Sequence, residues 1–507
     1  MQNKMVSNTK KLARNSLVSL LYQFVLVVSG LLLPRFIMEH YGSLTYGLVS
    51  SISQFLGLIT LCELGIGAVI QSSLYKPLVK KDYEAISKVF VSSQLFFRKV
   101  TIVIVAYIIV LIFMYPLAVD DSFDFLLTTG LIISISVTYI FQYLFGITNQ
   151  MLLDADQEVS VEVGPQIITT IIATALSILL MELDCSIVQV KAASALVYIA
   201  RPIYLSWYVR QHYPLNRKIV YTEEPIKQKW NGIAQHIANV VLRNTSTICL
   251  TLFGNLHFVA IYAVYSMVIK AFSQAIESTS ISLTSFLGVK IAEADADESN
   301  RTFGLVEFIF HNVMTLMFAL IAMLIVPFIR CYTKGIEDAD YIQPLFAFLM
   351  VAGYYIYNLR TPYHVIIKAA GHYKQTQRSA LIEALINILL TLVLIKISPL
   401  MAVTIGFLCA MLYRTVYYIC YLRDNILYRE VKIFVKYCIS DIALICIILA
   451  LSFLFPENTV DNYMSWIVYS LELTTASIII DAFFCCLLFK NYMNLIISMI
   501  KERVLKK

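Results

Sequence analysis

The chain has 507 residues, 59% of them hydrophobic and 14% charged, with a mean hydropathy of +0.75. A soluble protein carries about 25% charged residues, so these values exclude a large water-soluble core and predict an all-α polytopic membrane protein. The net charge of +6 is attached to no soluble domain that could present a basic face, which argues against a nucleic-acid partner.

A helix needs about 20 apolar residues to cross the roughly 30 Å hydrocarbon layer. Fourteen spans are expected on that basis: 17–38, 44–70, 100–119, 125–148, 161–181, 187–209, 233–253, 258–287, 304–327, 342–366, 379–396, 400–421, 437–455 and 464–489. With the N-terminus inside, the cytoplasmic segments hold 29 Lys and Arg and the opposite loops five (Arg35, Lys191, Arg330, Lys334, Lys396). The flipped topology inverts that ratio, so both termini are predicted to be cytoplasmic. The basic stretch Met1–Arg14 runs into the first span with no small-residue cleavage site and is not read as a removable signal.

In chain order, the first span carries Asn15, Ser19 and Gln23, with Arg35 after Pro34 near its outer end, as an outer-gate cation or an interfacial anchor. The second carries Ser50, Ser53, Gln54 and Gly57. The segments around Lys76–Ser87 and Lys290–Arg301 occupy equivalent places in the two halves and are expected as helices on the membrane surface. Asp120-Asp121-Ser-Phe-Asp124 and the run Glu293, Asp295, Asp297, Glu298 read as solvated turns and faces rather than metal sites. Residues 210–232, basic and containing Pro214 and Pro225, read as a linker.

Two middle spans carry polar stripes. In Gly232–Phe253 they are His236, Asn239, Arg243, Thr247 and Thr251; in Phe258–Leu287, Ser266, Lys270, Ser273, Gln274 and Glu277. Residues at i, i+3, i+4 and i+7 share one helix face, and ionisable groups inside a membrane face a bundle interior or a wet cavity. Interhelical hydrogen bonding explains the Ser and Gln positions equally well. Arg243 and Lys270 lie near mid-span and point to an anionic cargo; Arg201 and Arg414 either contact cargo or pin the repeat interface. Glu277 and His236 are candidates for coupling to an H+ or Na+ gradient. No nucleotide loop, nucleophile–base pair or metal-ligand spacing appears, so no catalytic residue, metal or cofactor is assigned. The ten cysteines lie mostly within spans and read as buried small side chains.

The chain also repeats itself. Arg201, Tyr204, Tyr208 and Arg210 match Arg414, Tyr417, Tyr421 and Arg423; Tyr46 matches Tyr262, Pro116 matches Pro327, and Glu162 matches Glu383, all at nearly constant separation. Each repeat has six spans, an even number, so the repeats are parallel. The expected organisation is a lobe over 1–209, the linker 210–232, a pseudo-symmetric lobe over 233–421, and an unrepeated helix pair with a basic tail over 422–507.

Pro34-Arg35, Tyr41-Gly42, Tyr46-Gly47 and Glu63-Leu64-Gly65-Ile66-Gly67 together resemble the first two helices of bacterial polysaccharide repeat-unit flippases. These are the capsule and O-antigen (Wzx-type) exporters, in the superfamily that also holds the MATE exporters and the peptidoglycan-precursor flippase. Phe253-Gly254 with Tyr262, Ala370-Gly371, and Glu383 with Asn387 resemble later parts of the same family. The resemblance implies two six-helix lobes around a cationic cavity in the bacterial cytoplasmic membrane, and alternating access. It implies a cargo of undecaprenyl-diphosphate-linked oligosaccharide, with polysaccharide polymerase and glycosyltransferases as pathway partners; a monomer is sufficient. In the peptidoglycan-precursor branch, cavity arginines occupy the first, second and eighth helices. Here Lys270 and Arg35 match by helix, and the second span has no Arg or Lys, which argues against that precursor as cargo. The expected cavity set is Arg243, Lys270, Arg35, Arg201 and Arg414, lined by Asn239, Thr247, Ser273, Gln274, Gln23 and Gln54. The rival readings are a MATE-type exporter of organic cations, which favours carboxylates, and a membrane glycosyltransferase or polymerase, which needs a larger outer loop.

Overall fold

The structure, a computed structural model, describes residues 2–63, 65–119, 123–226, 233–293, 296–372, 374–455 and 460–505. Asp120-Asp121, Asp295, Leu64 and the end of the 210–232 linker lie outside the described residues. The described elements are helices, as a chain in hydrocarbon requires, because every backbone N–H and C=O must then find its partner within the segment. Among the described residues, ten helical stretches are long and apolar enough to cross a membrane. The first, Arg14–Glu63, joins two of the expected spans. The chain is a multi-pass membrane protein.

It divides into two compact units, Met1–Ala263 and Val264–Lys507. The division falls within one long helix rather than in the 210–232 segment, so Ile233–Phe253 belongs with the first unit.

In the first unit, α1 (Gln2–Gly57) is two helices joined at Gly42, whose φ of 82° and ψ of 164° suit a residue without a Cβ. A short 3-10 turn, Leu58–Glu63, leads to α2 (Ile66–Lys80), then α3 (Tyr83–Ala118) and α4 (Phe125–Phe141). A π turn at Gln142–Gly146 separates α4 from α5 (Ile147–Ala155). Then come α6 (Val159–Glu182), α7 (Ile187–His212) and α8 (Ile233–Phe253). The expected surface helix at Lys76–Ser87 is absent: α2 ends at Lys80, Lys81 turns with φ 55°, and Asp82 caps α3 by accepting the Ala85 N–H. At 1.5 Å per residue α3 is about 54 Å long and outreaches the hydrocarbon, so these residues extend existing helices.

The second arm of α1 packs closely on α8 and on the start of α9 (Leu256–Glu293). A Cβ on Gly47 would stand 2.1 Å from the Leu256 carbonyl oxygen, whereas one on Gly30 meets nothing within 4 Å. Backbone cannot step aside as a flexible side chain can, and overpacking of this kind costs about 1–3 kcal/mol. Gly47→Ala is therefore expected to lower the midpoint of thermal unfolding in detergent, and Gly30→Ala to leave it unchanged. Equal midpoints for the two variants would show that the contact is not tight.

The second unit takes α9 from Val264 onward. It continues with α10 (Ala296–Tyr332), α11 (Pro344–Leu359), α12 (Thr361–Ala369), α13 (Gln377–Leu394) and α14 (Pro399–Asn425). It ends with α15 (Val431–Ser452), α16 (Tyr463–Leu488) and α17 (Lys490–Leu505). Of the expected surface segment Lys290–Arg301, the described residues are the end of α9, up to Glu293, and the start of α10, from Ala296. The two units repeat one neighbour pattern: α3 beside α4, α4 beside α7 and α6 beside α7, then α10 beside α11, α11 beside α14 and α13 beside α14. Each also breaks a helix at the same stage, at the π turn before α5 and at Arg360 before α12. The unrepeated pair α15 and α16 packs on α10, where the Trp466 indole N–H donates to the Leu324 carbonyl at 3.2 Å.

Candidate functional site: polar faces and buried ion pairs

The stripe on α8 divides by direction. Thr247 and Thr251 are buried. Thr251 Oγ1 lies 2.7 Å from Ser51 Oγ, which accepts from the Tyr115 hydroxyl at 2.7 Å. His236 Nε2 lies 2.7 Å from the Thr60 carbonyl oxygen, so its ring serves to hold the turn after α1. Asn239 and Arg243, one helical turn apart, are exposed. Lipid tails would penalise such a pair by several kcal/mol.

On α9 the same division recurs. Ser273 is buried and accepts from Asn358 Nδ2 at 2.9 Å. Lys270 is half-buried, and Gln274 and Glu277 are exposed. Their spacing of four and seven residues puts all three on one face. In the first unit Gln23, Gln54 and Arg35 are half-buried, and Arg35 lies 3.6 Å from Glu39 one turn on.

The repeat-matched arginines have acidic partners. In the first unit Arg201 Nη2 lies 2.9 Å from Glu162 Oε1 and 3.4 Å from Gln150 Oε1, while Gln166 also donates to Glu162. In the second, Glu383 receives Arg360 directly and Arg414 at 3.9 Å, and Arg414 donates to the Tyr418 hydroxyl at 2.9 Å. The matched Glu and Arg positions thus form the same ion pair in each unit. A third residue joins each pair: Gln150 contacts the arginine in the first unit, and Arg360 contacts the glutamate in the second.

No family model and no curated relative matches the chain. Among solved structures it is similar to the lipid II flippase MurJ in an inward closed conformation, with a TM-score of 0.67, 14% identity, and 94% of this chain and 99% of that chain covered. It is similar to an inward-facing multidrug resistance MATE family transporter of the MOP superfamily, with a TM-score of 0.61, 14% identity, and 81% and 94% coverage. A mutant of the Vibrio cholerae MATE transporter VcmN gives 0.57, 14%, 84% and 99%. The chain has a MOP-type fold. These likenesses speak to architecture.

Within the second unit of this MOP-type fold lies a polar cluster that the stripe pattern does not reveal. His311 on α10 lies 2.5 Å from Asp441 on α15 and 2.9 Å from the hydroxyl of Tyr363 on α12. Tyr363 donates to Glu307 at 2.7 Å, and Arg429 pairs with Glu307 at 2.6 Å. Asn312 donates to Asp481 of α16 at 2.7 Å. The available signal was Asp441 and Asp481 themselves, lone acids within apolar spans, which are functional candidates by default. Among the described residues no group of His, Cys, Asp and Glu could hold a metal ion, and all ten cysteines are free thiols.

Proposed function

We propose that this chain is a flippase. It carries a polyprenyl-diphosphate-linked oligosaccharide from the inner to the outer leaflet of the bacterial cytoplasmic membrane by alternating access. The observation that carries the reading is the exposure of Asn239 and Arg243 on one face of α8. An exposed cation within a membrane span calls for a wet, anion-accepting space. Lys270 and Gln274 offer a second such face on α9. A diphosphate cannot enter hydrocarbon uncompensated; a guanidinium fork replaces its water with paired hydrogen bonds and an ammonium adds a point charge. The likeness to MurJ supports lipid flipping by such a fold. Arg35, Arg201 and Arg414 extend the positive set, the last two through groups already paired with Glu162 and Glu383. The proposal includes fourteen spans with both termini cytoplasmic, lobes over 1–209 and 233–421, and a gradient of H+ or Na+ as energy source. Glycosyltransferases and a polymerase act before and after it.

The test is ligand choice by the purified protein. Undecaprenyl diphosphate should be retained in native mass spectrometry in preference to undecaprenol, which lacks the charge. The MATE-type reading, favoured by the exposed carboxylate of Glu277, predicts retention of tetraphenylphosphonium instead; that result, or no preference between the two lipids, would overturn the proposal.

A further inference from the structure

The cluster around His311 obeys a strict hydrogen count. Tyr363 has one hydroxyl hydrogen, and it is directed to Glu307 Oε1. The contact between His311 Nε2 and the Tyr363 oxygen at 2.9 Å then requires the ring to donate. The other ring nitrogen, Nδ1, faces Asp441 Oδ2 at 2.5 Å, a carboxylate that also accepts from the Tyr355 hydroxyl at 2.9 Å. An ionised carboxylate only accepts, and both ring nitrogens donate only in the imidazolium. With His311 protonated, every hydrogen in the chain Glu307, Tyr363, His311, Asp441, Tyr355 is used once. Arg429 balances Glu307 as His311 balances Asp441.

Removal of one proton breaks this arrangement in one direction only. Neutral His311 keeps its bond to Asp441 through Nδ1, and Nε2 becomes an acceptor. The Tyr363 hydroxyl must then either leave Glu307 and turn to Nε2, or face a lone pair with its own. No covalent bond changes besides the N–H that is lost. The remaining titratable neighbours are Tyr437, whose ring stacks on His311 with centroids 4.9 Å apart, Cys438 on the same helix, and Asp481 with Cys485 on α16. Asp481 is already served by Asn312. His311, Asp441, Glu307 and Tyr363 are all buried, where a donor or acceptor left without its partner is costly.

We infer that His311 and Asp441 form a proton-binding site in which the bound proton makes an ion pair between α10 and α15 and a hydrogen bond from α10 to α12; its loss reduces the first to a hydrogen bond from a neutral ring, weakening the hold on α15, and removes the second. Helix α15 is the first of the unrepeated pair. Use of this proton as a driving ion rests on the transport reading above; the binding of the proton does not.

The experiment uses the full chain in vesicles of phosphatidylethanolamine and phosphatidylglycerol, with no cargo. Hydrogen exchange of α15 amides, corrected for the intrinsic pH effect, is followed over about pH 5 to 8, where imidazoles change charge. Protection of α15 should be highest at the acid end and fall in one step as pH rises. His311→Gln and Asp441→Asn should each abolish the step, and Tyr363→Phe, which keeps the ring, should displace its midpoint. His212→Gln, at the exposed end of α7, should leave it in place. Flat protection in the unaltered chain overturns the inference without recourse to any variant, as does a step that survives His311→Gln. Failure of undecaprenyl diphosphate to bind while the step persists would sink the cargo reading alone.

Discussion

Export of lipid-linked glycan should fall about 10- to 100-fold in Arg243→Ala, with insertion into the membrane unchanged. A hydrogen bond to a charged partner is worth about 1.5–3 kcal/mol, and each 1.4 kcal/mol is about a factor of ten. Arg243 sits open on α8, so its removal leaves no cavity in a packed core and does not unfold the helix. Lys270→Ala on α9 should act in the same direction but less strongly, since an ammonium lacks the planar fork. Arg243→Lys should recover part of the loss, because charge returns without bidentate geometry. The measurement is surface glycan in a strain whose own exporter is deleted, normalised to the amount of protein in the membrane. Full export by both alanine variants would remove these cations from the cargo path.

The second large effect concerns stability. Glu383→Ala should lower the unfolding midpoint more than any exposed substitution, by an amount reflecting about 3–5 kcal/mol, the usual penalty for stranding a buried charge. Two guanidinium groups, Arg360 and Arg414, lose their counter-ion together. Glu162→Ala should cost less. It strands Arg201 alone, whose side chain is 23% exposed against 1% for Arg414, and Gln150 remains as an acceptor. The comparison needs only thermal unfolding of the two purified variants in one detergent. If the Glu162 variant proves the less stable, then the equivalence drawn between the two ion pairs is wrong.

Much of the architecture was legible in the chain because membrane insertion writes itself in composition. Apolar runs of the required length are satisfied by the helix, and most of each expected span falls on helix, with breaks such as the 3-10 turn Leu58–Glu63 inside 44–70. Gly42 marks the break between the first two of them. The repeat matches were also informative: Glu162 and Arg201 each have a repeat counterpart, Glu383 and Arg414, and the two pairs meet alike in structure. What spacing did not reveal was which way a polar residue points. Thr247, Thr251 and Arg243 share one stripe, yet the threonines are buried and the arginine is open. Nor did it show the surface segments near Lys80 and Glu293 to be ends of long helices, because a charged stretch looks the same on a surface helix and on a helix that projects into water.

The sequence by itself determined that this is a helical, multi-pass membrane protein, and it singled out the ionisable groups within its apolar segments. That follows from one-dimensional quantities: hydropathy, periodicity and the asymmetry of Lys and Arg. Only the tertiary structure decided partnership. His311, Tyr363 and Asp441 lie on three helices far apart in the chain, and no periodicity links them. Hydrogen bonds between side chains depend on ångström distances that arise only when helices pack, so a cluster of that kind is absent from the sequence until the fold brings it together.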